Sequence, residues 1–321
     1  MAVYTDITEA ELTAFIAQYD VGDLLSYKGI AEGVENTNFL VHCEKANFIL
    51  TLYEKRVNPD DLPFFLNLME HLAQSGINCP LPVVRKDGNV LGQLAGRPAA
   101  MITFLEGVWM REPTVEHCKA LGTTLAKMHE AGKGFNMQRK NSLTVSDWRP
   151  LWNKCVEAHP NMEDTLRVAV EAALNKFEAN WPEKLERGII HADLFPDNVF
   201  FLGGELSGII DFYFACSDAL AYDIAVCINA WCFEADHSFN AAKGAALLEA
   251  YNASRKLSDE ERQAMPMLCE GAALRFMLTR LYDWVTTPEG SLVVKKDPEE
   301  YITKMRFHAQ VSDISIYGLT H

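Results

Sequence analysis

Aspartates interrupt an apolar stretch of the chain at positions 188–225, which reads GIIHADLFPDNVFFLGGELSGIIDFYFACSDALAYDIA. His191, Asp193 and Asn198 lie on a loop between two apolar runs, and Asp211 ends a further apolar run. Carboxylates among Ile and Phe side chains are costly to bury unless they are paired or bind a metal ion. Mg²⁺ suits them, because it prefers oxygen ligands and commonly uses only one or two protein ligands beside phosphates and water. The stretch therefore indicates magnesium and phosphate chemistry.

Each aspartate alone also has an ordinary structural explanation. Asp193 and Asp197 can form turns through their own side chains, and Asp211 can cap a helix. The combined pattern is more specific: H-x-D-x-x-x-x-N is followed, 18 residues after its aspartate, by D-F. This arrangement resembles the catalytic loop and the metal-binding segment of the protein-kinase-like superfamily.

The resemblance implies a role for each of these residues. Asp193 would accept the proton of the attacking hydroxyl, Asn198 would hold one Mg²⁺, and Asp211 would bridge Mg²⁺ to the nucleotide phosphates. His191 would be a scaffold residue that holds the loop through its backbone. For Asp223, in SDALAYDIA, we expect a structural role, either supporting the catalytic loop or capping the helix that begins near residue 219.

The same region indicates which branch of the superfamily the chain resembles. No arginine directly precedes Asp193, and no glycine directly follows Phe212. In both respects the chain is similar to the aminoglycoside phosphotransferase and choline kinase branch. Only a short segment follows Asp211 before the next helix, and the chain has no A-P-E sequence to dock a peptide. A protein kinase is therefore disfavoured.

Two segments of the N-terminal half resemble nucleotide-contacting parts of that branch. GIAEGVENTNFLV is similar to its phosphate-covering hairpin, which assigns Gly33, Asn36 and Thr37 to the nucleotide, although a plain hairpin turn is the alternative. AAMITFLEG is similar to the hinge that reads adenine through backbone groups. This resemblance places three residues beside the base: Met101, Ile102 and Phe104.

The chain departs from the related kinases at one ion pair. Those proteins carry a strand lysine and a helix glutamate, but FILTLYE has Thr51 where the lysine is expected, and Phe64 and Phe65 lie near the expected glutamate. Because loss of one partner alone would leave an unpaired charge, the loss of both is self-consistent. We expect Thr51 to be a core strand residue without a phosphate contact.

The elements that must position these residues follow from hydrophobic periodicity. A short helix opens the chain, with Thr8 and Glu11 at the spacing of a capping box. Strand-like runs follow between residues 24 and 53, then a helix that Gly76 should end, then further strands including PLPVV. From TVEHCKALGTTLAKMHEAG onward the pattern is mostly helical. The sequence predicts an α+β, protein-kinase-like fold with a small antiparallel-sheet lobe at 1–103 and a larger helical lobe at 104–321.

Composition limits the possible partners and location. The 321-residue chain has a formal net charge of −15 and a pI near 5.0, which gives no electrostatic footprint for nucleic acid or an anionic membrane. Its eight cysteines include no C-x-x-C pair, so a zinc site or a disulfide framework is not indicated. The N-terminus lacks the basic and apolar segments of a signal peptide. We expect a cytoplasmic protein that binds ATP, Mg²⁺ and a small-molecule substrate; the oligomeric state is not determined by the sequence.

Across most of its length the sequence is similar to the homoserine kinases of this phosphotransferase-like type, in segments such as HADLFPDNVFF, IIDFYFAC and ALRFMLTRLYDW. The resemblance implies ATP-dependent phosphorylation of L-homoserine in threonine biosynthesis. A zwitterionic amino alcohol needs a cation, an anion and a walled pocket. The candidates for these contacts are Trp231, Arg275, Arg280 and Asp283. The alternatives are a kinase of another amino alcohol or an aminoglycoside, and a nucleotide-binding pseudokinase.

Overall fold

The structure is a computed structural model that describes residues 5–30, 36–54, 58–287 and 295–320. Gly33, which is predicted to contact the nucleotide, lies outside the described residues. The chain divides into two units. The first unit comprises Met1–Gly107 and Ser207–Tyr213, and the second unit comprises Val108–Leu206 and Phe214–His321.

The first unit is built on a five-stranded antiparallel sheet. Its elements are α1 (Glu9–Ile16), β1 (Leu24–Ile30), β2 (Thr37–Cys43), β3 (Asn47–Leu52), α2 (Leu62–Gln74), β4 (Gly92–Leu94) and β5 (Arg97–Thr103). The strand order is β1-β2-β3-β5-β4. Alternate residues of β2 are buried, so one face of this strand packs into the core with α1.

Two local sequence signals in the first unit are confirmed, one at the start of α1 and one at the end of α2. Thr8 and Glu11 form the predicted capping box at the start of α1. Gly76, two residues beyond α2, has a φ of 86°, a conformation that glycine adopts without steric cost and that stops the helix. The predicted strand PLPVV is wrong, because this segment forms only an isolated bridge between Pro82 and Ile102. Its two prolines have no N–H group to donate to a strand ladder.

The second unit is mostly helical. Its elements are α3 (Val115–Gly132), α4 (Val145–Ala158), α5 (Asp164–Asn180), β6 (Arg187–Ile190), β7 (Val199–Leu202), β8 (Glu205–Ile209), β9 (Cys216–Ala219), α6 (Leu220–Trp231), α7 (Ala241–Ser254), α8 (Asp259–Thr286) and α9 (Glu299–His308). β6 pairs antiparallel with β9, and β7 pairs with β8. Ser258 and Glu261 form a capping box at the start of the long helix α8.

Strand β8 begins in the second unit and ends in the first. The Ile209 N–H donates to the carbonyl of Asn78 at 3.1 Å, and Ser207 Oγ donates to the carbonyl of Glu106 at 2.9 Å. At Gly208 an added Cβ would lie 2.6 Å from the Asn78 carbonyl oxygen, so only glycine allows this close approach. The segment Ser207–Tyr213, and Asp211 with it, therefore belongs to the first unit, whereas the sequence pattern predicts that every residue after 103 lies in the helical lobe.

Within the described ranges, no helix has both the length and the apolar character needed to cross a membrane.

Candidate active site

A buried carboxylate holds the loop that follows β6. Asp223, in the first turn of α6, accepts the backbone N–H of His191 at 2.7 Å and the backbone N–H of Ala192 at 2.8 Å. Both N–H groups would otherwise be buried donors without a strand partner, since β6 ends at Ile190. The supporting role expected for Asp223 is thus present in the structure.

Asp223 is itself supported by a chain of buried side chains. His129 Nε2 lies 3.1 Å from Asp223 Oδ2, and His129 Nδ1 lies 2.7 Å from the hydroxyl of Tyr251. Burial by itself raises the pKa of Asp223, but the hydrogen bonds and charges of His129 and His191 together outweigh it, so the pKa is below its ordinary value. The carboxylate is therefore ionised and can accept two backbone bonds. Sequence reasoning missed His129 and Tyr251, which lie 94 and 28 residues from Asp223 and carry no local motif.

Asp193 comes directly after His191 and Ala192, the two residues whose N–H groups donate to Asp223. Its side chain is half-buried, and Asn198 Nδ2 donates to its backbone carbonyl at 2.7 Å, which closes the loop. Burial raises the pKa of Asp193, while the positive charges of Arg275, His191 and Lys296 oppose that rise. The side chain is partly exposed while the backbone that carries it is held, as a positioned proton acceptor requires.

The same contact orients the side chain of Asn198. Its amide nitrogen is directed at the Asp193 backbone, and its amide oxygen accepts no hydrogen bond from the described residues. An amide oxygen is a suitable ligand for Mg²⁺. The donor type and its orientation therefore fit the predicted metal role.

In the first unit, Asp211 follows β8 with an exposed carboxylate and a φ of 64°. A positive φ is uncommon outside glycine and is often held by surrounding structure at functional sites. Burial raises the pKa of the nearby Tyr213 to about 12, and the negative charge of Asp211 adds to that rise. An exposed carboxylate offers hard oxygen ligands, so Asp211 also fits a magnesium role.

A cluster of hydroxyl and aromatic groups lies where the related kinases have an ion pair. Thr51 is 1% exposed, and its hydroxyl donates to Asn38 Oδ1 at 2.8 Å. The hydroxyl of Tyr53 lies 3.2 Å from that of Tyr213, and the Phe65 ring packs edge-on against Tyr213 with centroids 5.7 Å apart. Phe65, near the position expected for the glutamate, thus packs on Tyr213, and the Thr51 hydroxyl opposes the rise that burial causes in the pKa of the same tyrosine.

Thr51→Val should lower turnover less than about tenfold, which corresponds to roughly 1.4 kcal/mol of barrier. Valine keeps the β-branched shape in β3, and only one buried hydroxyl with its hydrogen bond to Asn38 is lost. Steady-state kinetics and thermal unfolding of the variant measure the two effects separately. A loss of several hundredfold in kcat would mean that the Thr51 hydroxyl takes part in catalysis.

The residues predicted to contact the nucleotide lie in the first unit. Thr37 is fully buried, and its hydroxyl donates to Glu54 Oε1 at 2.8 Å; Asn36 accepts the backbone N–H of Glu54 at 3.3 Å. Met101 and Ile102 lie in β5, with the Met101 side chain in the core, and Phe104 follows the strand with an exposed ring. Their contacts with ATP stay predictions.

The four predicted substrate residues lie in α6 and α8 of the second unit. Trp231 is buried, and its indole N–H donates to the Leu194 carbonyl at 2.8 Å. Arg275 Nη1 donates to the Ala192 carbonyl at 2.6 Å. Arg280 Nη1 lies 2.5 Å from a carboxylate oxygen of Glu300, and Asp283 is half-buried one turn further along α8. Trp231 and Arg275 therefore touch the loop that carries Asp193. Substrate contact by any of the four stays a prediction.

Comparisons with known proteins identify the family of this chain. The model of the phosphotransferase enzyme family matches residues 26–257. Homoserine kinases from Brucella anthropi and Brucella suis are each 63% identical over 319 residues, covering 99% of this chain and 98% of each relative.

Solved structures show the same fold at low identity. An amicoumacin kinase in complex with AMP-PNP, Ca²⁺ and Ami has a TM-score of 0.70 and 15% identity, covering 96% of this chain and 93% of that one. A microcompartment-associated aminopropanol kinase has a TM-score of 0.63 and 16% identity, covering 94% of both chains. The fold is α+β and protein-kinase-like, as predicted. The chain belongs to the phosphotransferase enzyme family.

Proposed function

We propose that this protein transfers the γ-phosphoryl group of ATP to the side-chain hydroxyl of L-homoserine, which yields O-phospho-L-homoserine for threonine biosynthesis. The observation that carries the proposal is the 63% identity to homoserine kinases, which extends over 99% of the chain. The site supports it, because the loop after β6 offers one partly buried carboxylate, Asp193, held on a rigid backbone. A cytoplasmic location stays a prediction.

Each proposed catalytic residue has a defined task. Asp193 accepts the proton of the homoserine hydroxyl as that oxygen attacks phosphorus, and His191 holds the loop through the backbone bond to Asp223. Asn198 and Asp211 would hold Mg²⁺. When bound, the ion neutralises charge on the phosphate oxygens. The oxygen ligands that these two residues offer are the type that Mg²⁺ selects.

Recognition of homoserine requires groups for its carboxylate and its ammonium. Arg280 and Asp283 supply one cation and one anion on α8, and the guanidinium of Arg280 lies 4.4 Å from the centroid of the Tyr301 ring. A guanidinium fits a carboxylate in a bidentate pair. Lys296 is a further cation: it is exposed, and its Nζ lies 5.6 Å from the centroid of the Phe195 ring in the Asp193 loop.

The test is ADP release from Mg·ATP with a panel of acceptors: homoserine, 3-aminopropanol, choline, an aminoglycoside and a generic protein. We expect homoserine to be the best acceptor. 3-Aminopropanol lacks only the carboxylate, and a charge-assisted hydrogen bond contributes about 1.5–3 kcal/mol, so its kcat/KM should be lower by roughly tenfold to a few hundredfold.

Arg280→Ala should reduce that preference toward unity if this guanidinium binds the carboxylate. Arg306→Ala is the matched control, because Arg306 lies on the neighbouring helix α9 with an exposed side chain and only a 3.9 Å contact to Glu299. Phosphorylation of choline or an aminoglycoside, with no ADP release above background from homoserine, would show the substrate assignment to be wrong while leaving the kinase fold intact. Absence of turnover with every acceptor would favour a pseudokinase.

A further inference from the structure

Arg275 is a buried guanidinium in α8 that contacts the loop carrying Asp193. Arg275 is 3% exposed, and its Nη1 donates to the carbonyl of Ala192 at 2.6 Å. The guanidinium carbon lies 4.1 Å from the centroid of the Phe276 ring and 5.6 Å from that of Phe214. Two rings and one backbone carbonyl therefore fix the direction of the guanidinium plane.

The contacted residue, Ala192, has an unusual backbone conformation. Its φ is 62°, in the left-handed region, where a residue with a Cβ is strained by about 1 kcal/mol or more. Asp223 Oδ1 accepts its N–H at 2.8 Å, and Arg275 donates to its carbonyl. The residue before the proposed base is thus held at both of its polar backbone atoms by side chains from two different helices.

The carbonyl of Ala192 and the N–H of Asp193 belong to one peptide unit. Since a peptide unit is planar and rigid, a donor that fixes the carbonyl also fixes the direction in which the chain enters Asp193. No other hydrogen bond to this carbonyl comes from the described residues. The bond from Arg275 therefore restrains rotation of the Ala192–Asp193 peptide unit, and with it the direction of the backbone that carries the Asp193 carboxylate.

The arrangement has a cost that fold stability alone does not explain. Arg275 Nε is buried and has no hydrogen-bond partner among the residues that the structure describes. A buried donor without a partner costs about 1–3 kcal/mol, and burying a charge is costly unless it is paired. A guanidinium at this position therefore points to a requirement at the loop.

We infer that Arg275 is a positioning residue of the transfer reaction, which fixes the peptide before Asp193 and thereby aims the proposed base. The inference rests on the proposed homoserine kinase activity. It predicts an effect on turnover and not on substrate binding, because the guanidinium is directed at the protein backbone. This distinguishes it from the interpretation of Arg275 as a ligand of the substrate carboxylate.

The experiment compares Arg275→Met with Arg167→Met. Arg167 is the matched control, since its guanidinium also donates to backbone carbonyls of the second unit, those of Met162 and Pro160, at the start of α5. A misplacement of about 1 Å can cost on the order of 10²-fold in rate, so R275M should lower kcat by roughly 30- to 300-fold. KM for homoserine and for Mg·ATP should change less than about threefold, and R167M should keep its kcat.

Hydrogen–deuterium exchange gives a readout that is independent of turnover. Peptides covering residues 189–198 should exchange faster in R275M than in the wild type, and no faster in R167M. Arg275→Lys keeps a donor but loses the planar fork, so it should recover part of the lost kcat. If R275M does not fold, R275K decides: a reduced kcat with unchanged KM supports positioning, and wild-type kcat contradicts it.

Two results would overturn the inference. One is a KM for homoserine raised tenfold or more with kcat retained at saturation, which would make Arg275 a substrate ligand. The other is unchanged exchange in the loop, which would remove the proposed control over Asp193. Failure of the proposed function is recognised separately, because the wild-type protein would then give no turnover with homoserine before any variant is compared.

Discussion

Asp193→Asn will lower kcat for homoserine phosphorylation by about 10²- to 10⁴-fold, the range that a positioned general base contributes. Asparagine has nearly the same size and leaves the backbone carbonyl that accepts Asn198 Nδ2 in place, so the loop should keep its conformation. What is lost is the group that takes the proton of the attacking hydroxyl. KM for Mg·ATP should stay within about threefold, because a base contributes little to binding of the nucleotide in the ground state.

Steady-state kinetics and calorimetric titration with a non-hydrolysable ATP analogue separate the two effects. Asp197→Asn is the matched control, because Asp197 lies in the same loop and is exposed. Burial raises the pKa of Asp193, and the negative charge of Asp197 raises it further. Its kcat should remain within about threefold of the wild-type value. If D193N retained turnover within tenfold of the wild type, the base would have to be another residue.

Asp211→Asn will impair both nucleotide binding and turnover. The substitution keeps one oxygen but removes the negative charge that a divalent cation binds most strongly. Metal ions contribute several kcal/mol of charge stabilisation in phosphoryl transfer, so kcat/KM for Mg·ATP should fall by about 10²-fold or more. KM for Mg·ATP should rise, and additional Mg²⁺ should recover part of the activity, because a weakened site needs more metal to fill.

Titration of Mg²⁺ dependence, with ADP binding measured at fixed Mg²⁺, tests this assignment without relying on turnover alone. Asp20→Asn provides the control in the same unit, since Asp20 is a solvent-exposed aspartate that pairs with Lys45 at 2.7 Å on the surface. An unchanged Mg²⁺ dependence in D211N would count against the metal role. The pair of predictions also distinguishes the two aspartates, since only D211N should alter nucleotide affinity.

Several structural features were predictable because they depend on short sequence separations. Thr8 and Glu11, which form the capping box of α1, lie three positions apart, and Gly76 lies two residues beyond the end of α2. The catalytic loop is likewise a local pattern, eight residues from His191 to Asn198. Segments with competing local signals were less predictable: in PLPVV the apolar run indicates a strand, but the prolines remove the donors that a strand needs.

The relation between Thr51 and Phe65, at or near the positions where related kinases carry a lysine and a glutamate, is visible only in the folded chain. From the sequence, Thr51 and Phe65 are two unrelated substitutions in β3 and α2. In the structure Phe65 packs against Tyr213, and the Thr51 hydroxyl opposes the rise that burial causes in the pKa of this tyrosine, which follows Asp211 by two residues and belongs to the same unit. Tyr213 is 162 residues from Thr51, so no periodicity could have related them.

The sequence by itself determined the family, the α+β class and the identity of the residues with chemical potential, because these depend on residue type and near spacing. Tertiary structure alone decided which distant side chains hold those residues in place. Arg275 reaches Ala192 across 83 residues, Asp223 reaches the same residue from another helix, and residues 207–213 join the first unit through the backbone of Asn78. The physical reason is that a long-range hydrogen bond depends on the direction of a side chain after packing. In the sequence Arg275 is only a cation on a helix; in the folded protein its guanidinium lies between two rings and donates to one carbonyl.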